Sequence, residues 1–523
     1  MIAMIEKKRS KRPIALQTTL AGVLETSQTV AATRSRKAKV VALAETLRDA
    51  DADDLPTVVA YLGGSLLQRR TGVGWRGIGS PPEPADEPTL TVAEVDSAFD
   101  HLAGLSGPGS QATRAAAVKD LLGRATADEQ GWLRGVITGN VRQGALDALV
   151  QEGLAAASGA PLKAVRRAAM LAGGTVPIAR AAFEGEAALG EFALEVGRPV
   201  LPMLASSAPD VAAAMAKAGG GAVAIDTKLD GIRIQVHKSG DDVLIATRSL
   251  DVITERLPEV VDVVRALPAD RLVLDGEALA LADDGRPRPF QETASRTAME
   301  SGVHVTPYFF DLLHLDGTNL LDRPGTDRWA ALASLVPEQH RTPSLVTDSP
   351  EQAEEFVRET LARGHEGVVV KSVDGPYDAG RRGSAWVKVK PVHTLDLVVL
   401  AVEWGSGRRE GWLSNIHLGA RSDDGDGFVM LGKTFKGMTD EMLAWQTERF
   451  TELAVEPETI KDHYVVPVRP EQVVEIAFDG LQRSTRYPGG LALRFARVVR
   501  YRDDKGADEA DTISTVQSYV STG

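Results

Sequence analysis

Apolar positions along the chain change their period twice, and the two changes divide it into three parts. From about residue 35 to 197 they recur at helical spacing: Leu146, Leu149, Val150 and Leu154 stand at i, i+3, i+4 and i+8, one stripe on a helix face. Ser158-Gly159-Ala160-Pro161 ends that helix, 163–171 starts another, and the proline-rich stretch 77–88 reads as an exposed loop. Pro199 and Pro202 close the helical part. From Ala222 to His393 short alternating runs mix with amphipathic helices over 256–266 and 350–363, an α+β pattern. After Pro391 come short strands over 395–404, 413–420, 428–434, 472–478 and 493–502, with one inserted helix over 441–453. That strand density fits a small barrel of the OB-fold type. The expected organisation is therefore an all-α domain over 26–200, an α+β domain over 201–393 and an all-β OB-fold domain over 394–510. Residues 1–25 and 511–523 are expected to be tails.

One stretch in the middle part stands out. Residues 224–237 predict a strand, a tight Asp-Gly turn at Asp230-Gly231, and a returning strand on which Ile232, Ile234 and Val236 alternate with Arg233, Gln235 and His237. Lys228 precedes the turn between Asp226 and Asp230. A lysine fixed there, with an arginine close by, suits attack on a phosphoanhydride. An ordinary surface hairpin is the plainer alternative.

Composition narrows the chemistry. The 523 residues are 43% hydrophobic and 25% charged, as in ordinary globular proteins. The chain has no cysteine, which removes disulfides, thiolate zinc sites, iron–sulfur clusters and a cysteine nucleophile, and fits a reducing compartment. The net charge of -13 argues against a uniformly basic binder but leaves room for local basic surface. The cluster Lys7-Lys8-Arg9-Ser10-Lys11-Arg12 is followed by no apolar signal core, and no run is long enough to span a membrane. A cytoplasmic location is expected.

Nucleotidyl transfer to a lysine needs a partly deprotonated amine, whereas free lysine titrates near ~10.4; a shift of ~3 units is worth ~4 kcal/mol of environment. It also needs cationic clamps, hard carboxylates for a divalent metal, an aromatic face for the base and acceptors for the ribose. Arg248 ends a strand over 242–246. Glu277 interrupts an apolar strand, where an acid is costly unless paired. Phe310 is one of three consecutive aromatics, available to stack on a purine or to pack in the core. Glu366 and Lys371 bracket a buried run. Tyr377-Asp378-Ala379-Gly380-Arg381-Arg382 leads to Trp386-Val387-Lys388-Val389-Lys390, in which Trp386, Lys388 and Lys390 share a strand face. In the helical part, Arg142, Lys163, Arg166 and Arg167 are basic around helix ends, and Gly107-Pro108-Gly109-Ser110 could offer backbone N–H groups to an anion; a solvated face and a capped loop are the alternatives.

Taken in order, Lys228-Leu229-Asp230-Gly231-Ile232-Arg233, Thr247-Arg248-Ser249, Asp275-Gly276-Glu277, Phe310-Asp311, Glu366-Gly367-Val368-Val369-Val370-Lys371 and Trp386-Val387-Lys388-Val389-Lys390 resemble the motif series of the ATP-dependent DNA ligases, within the covalent nucleotidyltransferases. Arg494-Phe495-Ala496-Arg497 with Arg502-Asp503-Asp504-Lys505 is similar to that family's last motif. The segments 140–145 and 167–170 are similar to the helical DNA-binding domain of its larger members, and the whole resembles the bacterial type called ligase B. The resemblance implies that Lys228 takes AMP from ATP and that the AMP passes to the 5′-phosphate of nicked duplex DNA before the strand is sealed. It assigns Asp226, Arg233, Glu277 and Phe310 to adenosine, and Arg248, Arg382, Lys388 and Lys390 to phosphates. Glu366, with Glu277, would hold Mg²⁺ or alternatively Mn²⁺. Arg142, Arg166 and Arg167 would touch DNA. Arg494, Arg497, Arg502, Asp504 and Lys505 would close the barrel domain over ATP, turning near Asp396. Asp226 stands where the family usually has Glu, and Ala496 where it has proline. A monomer is expected; nothing in the sequence supports a sliding-clamp partner.

Two other classes share parts of this pattern. An mRNA capping guanylyltransferase uses the same lysine motif, but the long helical N-terminal part favours a ligase. A non-catalytic DNA-binding protein need not keep Lys228, Glu366 and Lys388 together. The zinc module of NAD⁺-dependent ligases cannot form without cysteine.

Overall fold

The computed structural model describes residues 18–68, 71–139, 141, 147–296, 302–378, 382–406, 409–425 and 427–519, without the side chains of residues 75, 76 and 382. Helices Leu20–Ala32, Arg36–Asp49, Leu55–Leu62, Val92–Gly104, Ser110–Gly123, Ala127–Ile137, Asp147–Ser158 and Leu162–Leu171 pack around one core that includes Val23, Leu47, Tyr61, Phe99 and Leu154. Thr91 and Thr126 start two of these helices with capping boxes closed by Glu94 and Glu129. The first helix begins at Leu20, inside the expected tail, because Thr19 caps it and Leu20 is fully buried. A Cβ on Gly153 would lie 2.8 Å from that of Leu43, so this glycine lets two helices cross closely.

The middle domain is built on two five-stranded sheets. Its strands are β1 (Leu204–Ser207), β2 (Val223–Lys228), β3 (Ile232–Ser239), β4 (Asp242–Thr247), β5 (Arg271–Ala280), β6 (Val305–Leu315), β7 (Thr318–Asn319), β8 (Ser344–Thr347), β9 (Gly367–Ser372) and β10 (Arg382–Val389). One sheet runs β1-β10-β9-β2-β8 and the other β4-β3-β5-β6-β7. The hairpin expected around Asp230-Gly231 is therefore corrected: β2 and β3 belong to different sheets. Both edges of β2 are taken by β8 and β9, and both edges of β3 by β4 and β5. Gly231 fits the crossing because a Cβ there would lie 2.3 Å from the Ala278 carbonyl oxygen of β5. Lys228 thus ends its strand where the chain passes from one sheet to the other.

The C-terminal domain is all-β apart from the inserted helix Asp440–Leu453 and a short terminal helix. Its strands are β11 (His393–Trp404), β12 (Leu413–Arg421), β13 (Phe428–Thr434), β14 (Val465–Pro467), β15 (Val473–Phe478), β16 (Gly480–Arg483), β17 (Leu491–Arg494) and β18 (Arg497–Tyr501). The sheet runs β13-β12-β11-β15-β18, β14 also pairs with β11, and β16 and β17 form a separate ribbon. In this domain, expected as a small OB-type barrel, the ladders form an open path among the described residues. Its edges still meet: Val498 N–H donates to Lys436 O (2.9 Å) and the Thr434 hydroxyl to Ala496 O (2.6 Å). The expected C-terminal tail is folded as far as Tyr519, since helix Ile513–Ser518 buries Val516 in the sheet's core and Tyr519 packs on His393 and Phe478. No helix among the described residues is long and apolar enough to cross a membrane.

Candidate active site

A cavity of about 1210 Å³ lies between the two sheets of the middle domain and the inner face of the C-terminal domain. Lys228 reaches it from the end of β2. The register pairs Lys228 with Gly367 on β9, so Glu366 falls beside the lysine and its carboxylate contacts the Lys228 ammonium. Lys390, one residue beyond β10, contacts the same carboxylate and stands 3.6 Å from Asp479. One carboxylate therefore bridges two lysines. Burial lowers the Lys228 pKa from its ordinary value; Glu277 and Asp230 oppose that shift, and Arg233 and Arg494 add to it. Burial, together with the charge on Lys228, pulls Lys390 down to about 8.

The opposite wall is aromatic and rigid. Arg233 on β3 forks onto Asp275 of β5 through Nε (2.8 Å) and Nη2 (2.7 Å). Its guanidinium lies over Phe310 (5.0 Å) and Trp386 (5.8 Å). Phe310 and Trp386 meet edge to face, and Lys371, buried beneath them, pairs with Asp226 at 2.5 Å. Period-2 alternation on β6 sends Phe309 into the core and Phe310 into the cavity. Glu277 sits near the floor and accepts from Gly231 N–H (3.2 Å); burial pushes its pKa up, against the opposing charges of Lys228 and Arg233.

The C-terminal domain supplies the remaining wall. Arg494 donates to Asp230, in the turn after Lys228, at 2.7 Å, and its guanidinium lies over Phe290 (5.2 Å). Arg497 pairs with Asp479 at 3.1 Å, and both line the cavity. Phe495, between the two arginines, has φ +56° and an exposed ring at the cavity mouth. A lysine at a strand end, cations on three sides and aromatic faces make a site for a nucleoside triphosphate.

Residues 202–390 match the family model described as ATP dependent DNA ligase domain, 409–505 the ATP dependent DNA ligase C terminal region, and 76–155 the DNA ligase N terminus. A protein of Nocardioides sp. named "Probable DNA ligase" is 70% identical over 506 residues, covering 96% of this chain and 99% of its own. One of the same name from Kineococcus radiotolerans is 66% identical over 501 residues, covering 95% and 99%. The chain belongs to the ATP-dependent DNA ligases. The solved structure named Pmar-Lig_PreS3 shares the fold at a TM-score of 0.59, with 20% identity, covering 92% of this chain and 99% of that one. The ligase uses ATP and acts on DNA.

Most of the residues expected at the ligase's site meet in the cavity: Asp226, Lys228, Arg233, Arg248, Glu277, Phe310, Glu366, Lys388, Lys390, Arg494 and Arg497 all line it. Others do not. Arg502, Asp504 and Lys505 do not line the cavity: Arg502 pairs with Asp396 (3.0 Å) and Asp504 (2.7 Å), and Lys505 with Asp396 (2.6 Å). Asp396 is not at the joint either; it is held in the β11–β15 ladder opposite Glu475, and the short joint is Lys390 to Val392. Arg166 is bound to Glu152 (2.8 Å), and Arg167 reaches Asp322 of the middle domain (2.8 Å), so neither stands as an unpaired cation. Arg142 and the side chain of Arg382 lie outside the described residues. Sequence reasoning missed Asp230 as the partner of Arg494, and also Asp275, Asp479 and Tyr377. Asp275 carried the same signal as Glu277, an acid in an apolar strand.

Proposed function

We propose that Lys228 is the nucleophile through which this ligase seals nicks in duplex DNA. The observation that carries the proposal is Lys228 set against Glu366 in a cavity that Arg494 closes from the C-terminal domain. The free amine attacks the α-phosphorus of ATP, forming a phosphoramidate bond to AMP and expelling pyrophosphate. A 5′-phosphate oxygen at the nick then attacks the same phosphorus and releases the lysine. Finally the 3′-hydroxyl attacks the activated 5′-phosphate, forms the phosphodiester and expels AMP. Arg233 and Glu277 bind the ribose, Asp226 meets the adenine edge, and Phe310 stacks on the ring. Arg248, Lys388 and Lys390 hold phosphates, joined by Arg382 from β10, and Arg494 and Arg497 orient the leaving pyrophosphate.

Glu277 and Glu366 are hard carboxylates facing the place of a polyanion, a donor set that fits Mg²⁺, or Mn²⁺, with phosphate and water completing the shell. Such an ion supplies positive charge to the triphosphate. We take the enzyme to act as a monomer in the cytoplasm, consistent with a reducing compartment for a chain without cysteine. We place the domain limits near residues 200 and 393, a reading supported by Pro199 and Pro202 after the last helix and by the short joint between β10 and β11. Labelling with α-³²P-ATP on a denaturing gel tests the proposal. A band is expected with ATP and not GTP, absent in Lys228→Ala, and chased by nicked duplex. Label on Lys228→Ala would remove the lysine from its role.

A further inference from the structure

Tyr377 lies outside the cavity lining, fully buried, yet it touches two chains of contact at once. Its hydroxyl donates to Asp275 Oδ2 (2.6 Å) and accepts from Met203 N–H (3.0 Å). Asp275 is the carboxylate on which Arg233 forks, and Arg233 Nη2 also donates to Met203 O (3.2 Å). Both backbone groups of Met203 are thus committed to this cluster. Met203 belongs to the segment that enters from the helical domain: Leu201 N–H donates to Met170 O at the end of helix Leu162–Leu171, and Gln235 clamps Val200 through N–H (2.8 Å) and C=O (3.1 Å). The Tyr377 ring meets Trp386 edge to face at 5.8 Å, and Trp386 meets Phe310 the same way.

Burial, then the charge of Asp275, raises the phenol well above its ordinary pKa, so it stays a donor at every working pH. Burial would lower the Arg233 pKa, but the carboxylate's charge and hydrogen bonds more than offset that and the arginine is held cationic. Without the hydroxyl, Asp275 Oδ2 keeps only the Arg233 donor and the Met203 N–H is orphaned in the core. The carboxylate, no longer braced by the phenol, is then held through the fork alone, so Asp275 and the guanidinium can shift together as a pair.

We propose that Tyr377 is a positioning residue for Arg233, fixing its guanidinium against the ribose and tying that aim to the segment from the helical domain. The proposal rests on the assignment of Arg233 to the ribose. Tyr377→Phe removes one oxygen and keeps the ring on Trp386. The ATP concentration for half-maximal self-adenylylation is expected to rise about tenfold, with the maximal rate changed less than about threefold. The preference for ATP over 2′-deoxy- and 3′-deoxy-ATP should shrink, which loosened packing alone would not produce. In an Arg233→Lys background the same change should add little, as expected for two residues acting as a unit. An unchanged ATP dependence, an equal loss with all three nucleotides, or additive losses would each overturn the proposal. Wild-type protein unlabelled by ATP would instead sink the nucleophile assignment itself. A second measurement needs no variant: amide exchange over residues 199–206, with and without AMP on Lys228. Slower exchange in the loaded protein is expected, and identical exchange would overturn the link to the entering segment.

Discussion

Two carboxylates, Asp275 on β5 of one sheet and Glu366 just before β9 of the other, are held in opposite ways. Asp275 takes a planar fork from Arg233 and a phenol from Tyr377, and its side chain is 1% exposed. Glu366 takes two lysines, each a point charge on a flexible stem, and is 12% exposed at the cavity. An arginine fork fixes orientation, whereas an ammonium can leave along several directions. The difference matches what each region must do. The Asp275 cluster has only to hold an arginine still. If Lys228 is the nucleophile proposed above, the Glu366 cluster must let go of it, because an ammonium cannot attack phosphorus.

The sharpest way to break this comparison is to neutralise each acid in turn. Asp275→Asn leaves Arg233 as a buried charge without its partner, and should cost about 3–5 kcal/mol in the melting of the middle domain. Glu366→Gln should cost about 1 kcal/mol or less, since both ammoniums can turn into the cavity. Self-adenylylation should nevertheless fall about 10²–10³-fold in Glu366→Gln, from the loss of a group preorganised around the reacting phosphates. Equal destabilisation by the two variants would erase the distinction between a fixed and a releasable acid.

The Glu366 side of this contrast was readable in advance and the Asp275 side was not, and the limits are physical. Lys228, Glu366, Lys388 and Lys390 share ordered motifs, and they converge because β2, β9 and β10 are neighbours in one sheet. The Asp-Gly turn misled, since a local turn signal says nothing about which distant strands occupy an edge. Here β8 and β9 claim β2 while β4 and β5 claim β3, and the expected hairpin becomes a crossing between sheets. Tyr377 gave no local sign of its role because its partner Met203 is 174 residues away. The charges Arg502 and Lys505 were visible, but not that Asp396 would gather them away from the nucleotide. The start of the folded chain was underestimated although Leu20, Val23, Leu24, Ser27 and Val30 form a helical stripe, whereas the terminal helix offers only Val516 as a buried anchor.

The lid tests the releasable side from another direction. Arg494→Gln removes the contact with Asp230, so the C-terminal domain should close less often over bound ATP. Self-adenylylation should slow about 10–100-fold, by analogy with the loss of one preorganised cation. Joining of a nick already carrying 5′-AMP should change by less than about threefold if the contact serves only the first step. Parallel single-turnover assays on the two substrates separate these outcomes, and an equal loss in both would deny the lid its step-specific role.

The smallest expected effect is a displacement in pH. Self-adenylylation should rise about tenfold per unit below the Lys228 pKa and level off above it, because only the free amine attacks. Burial lowers that pKa from 10.5, so the plateau should begin below the range of free lysine. Arg494→Gln acts on the same limb in one direction. It deletes a cation that favours the free amine, and it leaves Asp230, which favours the ammonium, without its counter-charge. Both changes raise the Lys228 pKa, so the limb should move to higher pH while keeping its slope. A shift to lower pH would mean that Glu366, not the surrounding field, governs the lysine's proton. In that case the releasable carboxylate would be the proton's holder as well as its neighbour.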